Sequence, residues 1–174
     1  EFRRVLFRSL RACAKLIGVS PSSAFRHYAD KRALLTAFAT HAMHQLAHAM
    51  EDAKQQATAE GSNEFAAVGL AYIEFALDKP AFFRAMWREE TIYINDENYI
   101  AAANQLSRNL KGGFADTLTD NDPESLSPHE LLAWSSVHGL ASLFVEGTVG
   151  KEQTREQKLD KARDMISIMG PAFQ

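Results

Sequence analysis

The chain has 174 residues, 46% hydrophobic and 24% charged, with a net charge of −3, a composition that excludes a disordered protein. No apolar run reaches the ~20 residues of a membrane-spanning helix, and the single cysteine excludes an internal disulfide and points to a reducing, cytoplasmic setting. The charge is divided: residues 1–34 hold eight Lys/Arg against Glu1 and Asp30, while the remainder holds eleven against twenty acids, so a +6 head stands on a −9 body, as in a protein that offers one end to phosphate.

Taken in chain order, the sequence opens with "EFRRVLFRS", whose back-translation fits a restriction site followed by a library-adapter sequence. Residues 1–9 are therefore expected to be a non-native segment. From there the hydrophobic period is helical throughout, giving an all-α expectation of about eight helices and no sheet. A short helix over about Leu10–Ile17, with Cys13 as a small core residue, stops at Gly18, which tolerates the left-handed conformation after a helix. Ser20 can cap a second helix, with Pro21 in its first position, running to about Tyr28. Asp30 caps a long helix to about Ala57, with Leu35, Phe38, Ala42, Leu46, Ala49 and Ala53 as its apolar stripe.

"EGSN" breaks the chain, and Ser62 or Asn63 opens a helix through Phe65, Val68, Tyr72, Ile73, Phe75 and Ala76. Pro80 starts a short aromatic helix, "PAFFRAMWREE". Asn95 or Asp96 opens another through Tyr99, Ala103, Leu106, Leu110 and Phe114, bending at Gly112–Gly113. "TDNDPESLSP" is a polar loop. Ser127-Pro128-His129-Glu130 is a capping box for a helix to about Gly147. That helix is apolar nearly all round, so both its faces are expected to be buried. Ser135, Gly139 and Ser142 form a stripe of small residues along it, which admits a second helix at close range. Thr154 and Gln157 form a second capping box, for a last helix through Leu159, Ala162, Met165, Ile166 and Met169.

The two short helices meeting at Gly18-Val19-Ser20 have the spacing of a helix-turn-helix, whose second helix enters the major groove of DNA. Ser20, Ser22 and Ser23 cluster where free amides and the helix dipole favour phosphate. Arg26 and His27 extend the polar face, Lys31 and Arg32 can neutralise backbone phosphates, and Ala24, Phe25 and Tyr28 can hold the helix to its neighbours. On pattern alone, an αα-corner with a solvated basic face fits the same residues. His41, His44 and His48 have a spacing that can hold zinc, but they fall opposite the apolar stripe and read as a solvated face. An enzyme with His138 as base and Glu146 as its orienting carboxylate is disfavoured, because residues eight apart on one helix do not touch and no catalytic motif is present. No cofactor or metal is expected.

"LRACAKLIGVSPSSAFRHYADKRALL" resembles the DNA-binding head of the TetR family of bacterial repressors: Gly18, Val19, Ser20, His27, Lys31 and Leu34 match its motif, and Tyr28 takes a phenylalanine position. Phe25 replaces the usual tyrosine, and Ser22 the commoner glycine. "AYIEFALDKPAFFRAMWREE" and "WSSVHGLASLFVEG" are similar to the subgroup whose C-terminal domain carries a tryptophan/histidine-glycine signature, here Trp134 and His138-Gly139. The resemblance implies a helix-turn-helix head over residues 10–40, its first helix missing or replaced, and a long helix leading to a ligand-binding and dimerisation domain over 41–174.

It further implies a regulator, most simply a repressor, that binds operator DNA as a homodimer and is released by a small apolar effector. The DNA-facing set is Arg11, Ser20, Pro21, Ser22, Ser23, Phe25, Arg26, His27 and Lys31. The pocket set is Tyr72, Phe83, Met86, Trp87, Leu110, Phe114, Trp134 and His138, and the dimer set Ser135, Gly139, Ser142, Leu159 and Ile166. The competing functional class is a helical ligand-binding or interaction protein without DNA binding.

Overall fold

The structure, a computed structural model, describes residues 10–111 and 126–170. Among these residues there are eight α-helices, one 3-10 turn and no strand, as the periodicity predicts. Helices α1 (Leu10–Leu16) and α2 (Pro21–His27) form the N-terminal corner. Gly18 between them has φ +73°, the left-handed conformation glycine adopts without penalty. The Ser23 amide donates to Ser20 Oγ at 3.1 Å, so Ser20 caps α2 as its hydroxyl predicts.

Helix α3 (Lys31–Glu60) starts where Asp30 accepts a bond from the Ala33 amide and ends at Gly61, again left-handed. It passes the expected domain boundary at residues 40–41 without a break. Its fully buried line is Thr36, Ala39, Ala42, Met43, Leu46, Ala47 and Met50. Leu35, Phe38, Ala49 and Ala53 of the predicted stripe are only half-buried. The stripe is rotated because α3 packs on more than one partner, so small and flexible residues, not the large aliphatics alone, face the core.

Helix α4 (Glu64–Asp78), capped by Asn63, lies at the centre. It packs on α3 along one side and on α7 (Pro128–Glu146) and α8 (Arg155–Met169) along the other. Helix α6 (Glu97–Lys111) covers the far side of α3, and α5 (Pro80–Met86) bridges α3 and α4. Gly69 marks the tightest crossing: a Cβ there would lie 3.3 Å from Ile166 Cδ1 and 3.4 Å from Val137 Cγ1. Tyr72, Leu46, Met50, Ile73 and Met86 are fully enclosed, each aliphatic one contributing about 1.5–3 kcal/mol by leaving water. Both predicted capping boxes are present, Ser127 with Glu130 and Thr154 with Gln157.

Within the single chain α7 is covered on one face only. Leu131, Leu132 and Leu143 are 51%, 49% and 40% exposed, and Ile168 on α8 is 78% exposed. Two residues of the expected dimer set are corrected: Leu159 and Ile166 lie in the chain's own core, Ile166 against Gly69. They are the inward repeat of α8, whereas Ile168 stands two residues later on the outward face.

Candidate functional site

At the N-terminal end, Arg11, Ser20, Ser22, Arg26 and His27 are exposed, while Ser23 and Lys31 are half-buried. Phe25 was expected to help hold α2 in place, but it is 45% exposed and so belongs to the outward face. Tyr28 is half-buried and suits the holding role. Pro21 occupies the first position of α2; its side chain, like those of Cys13, Ala24 and Leu110, lies outside the described residues.

Arg32 is exposed too, but its guanidinium is engaged within the chain. Its Nε donates to the Ile92 carbonyl at 2.7 Å, and its guanidinium lies over the Tyr93 ring, 4.7 Å from the centroid. Around it a clasp ties the first turn of α3 to the segment after the 3-10 turn Glu89–Thr91. The Tyr93 hydroxyl donates to Asp30 Oδ2 at 2.6 Å, and the Tyr93 amide donates to Thr36 Oγ1 at 2.9 Å. The Asp30 carboxyl is held below its ordinary pKa, first by the Tyr93 hydroxyl and then by the Ala33 amide. In the sequence, Asp30 is a cap and Arg32 a loose cation; no local signal announces a partner sixty residues away.

Between α4, α5 and α7 the structure brings together five residues of the predicted pocket. Trp87 contacts His138, Trp134 and Phe83 with ring centroids 4.8, 5.9 and 6.4 Å apart. Phe83 contacts His138 at 5.5 Å and Tyr72 at 6.0 Å. Met86 is fully buried in the same core. Phe114 lies outside the described residues. Helical spacing accounts for part of the gathering: Trp134 and His138 are four apart on α7 and share a face, while Phe83 lies on α5 and Trp87 at its C-cap.

His138 is the polar centre of this cluster. Tyr72 is buried, which pushes its hydroxyl far above the usual phenol range. It therefore stays protonated, and its hydroxyl is assigned as the donor to His138 Nδ1, 2.8 Å away. Burial lowers the His138 pKa, so the ring is neutral, with its remaining proton on Nε2 facing Ser142 Oγ at 3.4 Å. Ser142 is thus turned toward His138, although it was expected in a helix–helix contact between chains. The Trp134 indole is directed toward the Tyr72 hydroxyl, slightly favouring its ionised form, but stays short of hydrogen-bond geometry.

Glu146 pairs with Arg84, whose Nε donates to Oε1 at 2.6 Å and whose Nη2 donates to the Val145 carbonyl. That fastens α5 to the end of α7 and removes Glu146 from any role beside His138. The three histidines of α3 are exposed: His41 bonds Gln45, His44 bonds Gln105, and His48 sits 3.7 Å from Asp52. Among the described residues no group of side chains is arranged to hold a metal ion, and no helix is long and apolar enough to cross a membrane. A shallow groove of about 220 Å3 lies away from the aromatic cluster, between the end of α3 and the start of α4, lined by Gln56, Glu60, Leu70 and Glu74 among others.

On α7, Ser135 is exposed and Gly139 has no neighbouring atom within 4 Å of where a Cβ would stand. The small residues therefore lie on the same open side of the helix as Leu131, Leu132 and Leu143.

Residues 65–166 match the family model of the tetracyclin repressor-like C-terminal domain. Two solved structures share the fold. A protein of unknown function from Rhodococcus sp. RHA1 is 24% identical, with 95% of this chain and 93% of that chain covered and a TM-score of 0.66. The candidate regulatory protein SCO4313 is 20% identical, with 93% and 86% covered and a TM-score of 0.65. No curated protein matches the chain in sequence.

Proposed function

Because the chain belongs to the tetracyclin repressor-like family defined by that C-terminal domain, we propose that it is a transcriptional repressor: a cytoplasmic homodimer that binds operator DNA through α2 and lets go when a small apolar effector enters the aromatic cluster. In this reading residues 10–40 are the DNA-binding head and 41–174 the effector and dimerisation domain. Trp134 and His138-Gly139 are then the signature of the tryptophan/histidine-glycine subgroup, with Trp134 and His138 forming the wall of the effector site.

The observation that carries the reading is the outward face of the corner, where Ser20, Ser22, Arg26 and His27 stand exposed on the cationic end of an otherwise acidic chain. Phosphate attraction supplies affinity there, and the exposed side chains of α2 supply base contacts. A dimer suits the head, since two recognition helices read half-sites about 34–36 Å apart. The open face of α7, with Leu132, Ser135, Gly139 and Leu143, together with Ile168 on α8, offers the apolar surface a second copy would cover.

Selection from a pool of genomic DNA fragments tests the proposal. The expected result is enrichment of a two-fold symmetric site. Lys31→Ala then weakens binding to all sequences alike and flattens the salt dependence by about one unit. Binding of every fragment with equal strength, or of none, overturns the regulator reading.

A further inference from the structure

Buried polar atoms without partners are rare in folded proteins, so each one needs an explanation. Among the described residues there are four: two belong to touching indoles, Trp87 Nε1 and Trp134 Nε1, and a third, Glu130 Oε1, belongs to the residue four before Trp134 on α7. The fourth, Gln153 Oε1, lies in the turn between α7 and α8. The two indole rings contact each other and His138. Glu130 stands one helical turn before Trp134 on the same face of α7, and helical side chains lean over the preceding turn, which carries the indole toward the carboxyl group.

Glu130 is 5% exposed. Its Oε2 accepts the Ser127 amide at 2.7 Å to close the capping box, so the helix cap accounts for one oxygen and leaves the other. Tyr72 and His138 satisfy one another, and His138 Nε2 faces Ser142. The cluster thus presents spare donors on the indoles and a spare acceptor one turn away. A single ligand atom that both accepts and donates would satisfy the Trp87 indole and the Glu130 oxygen together, and a hydroxyl oxygen is the smallest such group.

We propose that the effector is a small apolar molecule bearing a hydroxyl group, a phenol or a cyclic alcohol. This rests on the effector-site reading given above. The ligand oxygen accepts from the Trp87 indole N–H, its proton goes to Glu130 Oε1 as a hydrogen bond, and the hydrocarbon body lies against Phe83, Trp134 and His138. An ether satisfies the indole but not Glu130. A carboxylate sets acceptor against acceptor at Glu130, and a hydrocarbon satisfies neither group.

The chain has two tryptophans, so a 1H–15N spectrum shows two indole resonances, assigned with Trp87→Phe and Trp134→Phe. Phenol, anisole and toluene share one ring and differ in what their substituent can accept and donate. Titration is expected to give phenol about tenfold tighter binding than toluene, with the Trp87 indole proton moving downfield and anisole falling between. Glu130→Gln keeps an oxygen for the Ser127 amide and places a donor where Oε1 stood, so anisole should then bind at least as tightly as phenol. Equal affinity for the three probes in the unsubstituted protein, with both indole resonances shifting, overturns hydroxyl recognition and leaves an effector site. Failure of every probe to move either resonance overturns the effector site as well.

Discussion

Tyr72→Phe is the substitution that most directly tests the polar centre of the cluster. It removes one oxygen from a fully enclosed side chain and conserves the ring, so packing around Met86 and Ile73 is retained. What is lost is the 2.8 Å bond to His138 Nδ1, which leaves a half-buried acceptor among aromatic rings. An acceptor stranded in this way costs about 1–3 kcal/mol, and since His138 is only half-buried the lower part applies, about 1–2 kcal/mol. For a chain of this size each kcal/mol lowers Tm by roughly 2–4 °C.

The pH dependence sharpens the test. Burial disfavours the protonated ring, so the folded protein binds fewer protons than the unfolded one between the two His138 pKa values. Wild-type stability is therefore full above 6.5, the unfolded value, and declines as the pH falls below it. In Tyr72→Phe, protonating Nδ1 no longer forces the tyrosine hydroxyl to turn its proton into a wall of aromatic carbon, so the acid penalty is smaller. The gap between the two proteins should be widest near pH 7.5 and narrow by pH 5.5 in urea unfolding. Equal stability at pH 7.5, or a gap that widens in acid, refutes the donor assignment.

Gly139→Leu should leave the monomer folded, because nothing lies within 4 Å of the new Cβ, yet sedimentation should show monomers at low micromolar concentration; persistence of a dimer would place the interface elsewhere. At Gly69, alanine meets only the movable end of Ile166 and Val137 Cγ1 and gains about 1 kcal/mol of helix propensity, so stability should hold or rise. Valine should overpack the crossing by about 1–3 kcal/mol, and equal unfolding midpoints for the two variants would refute the close approach. Tyr93→Phe removes the leading cause of the lowered Asp30 pKa. The Asp30 carboxyl should then titrate at higher pH by NMR, and the contribution of the clasp, present above 3.8 and lost as pH falls through the folded value, should weaken.

Local signals were the readable part of this chain. Gly18, the Asp30 cap and both capping boxes each act over a few residues and stand where sequence chemistry places them; of Ser62 and Asn63 the cap is Asn63, and the long helix runs three residues past Ala57 before its Gly61 cap. The gathering of Tyr72, Phe83, Trp87, Trp134 and His138 was expected from the family resemblance; spacing alone would have read these aromatics as plain core. Direction was less readable. Leu159 and Ile166 share one side of α8 and Ile168 stands nearly opposite, all three apolar, so only the packed partner decides which side faces Gly69. Long-range polar pairs were invisible: Arg32 with Ile92 and Arg84 with Glu146 join residues about sixty apart. The spare oxygen of Glu130 emerges only once its capping partner is known.

The clasp also constrains how an effector at the cluster could act on a head bound to DNA. Trp87 and Tyr93 are joined by a short segment braced by the Arg88 carbonyl, which accepts from the Thr91 amide and from Thr91 Oγ1, both at 2.9 Å. Under the proposed function, a displacement of Trp87 would reach Asp30, Arg32 and Thr36 through this segment. Those residues begin a helix of 30 residues, about 45 Å long, anchored at its far end against α4. Tilting such a rod by about 5° carries its head end by about 4 Å, enough to spoil a fit set by half-sites 34–36 Å apart. A route of this kind counts as coupling only if both ends bias it. Tyr93→Phe separates the alternatives under the proposed function: effector affinity should persist while the effector releases DNA less completely, and unchanged release would mean that the signal leaves the cluster by another way.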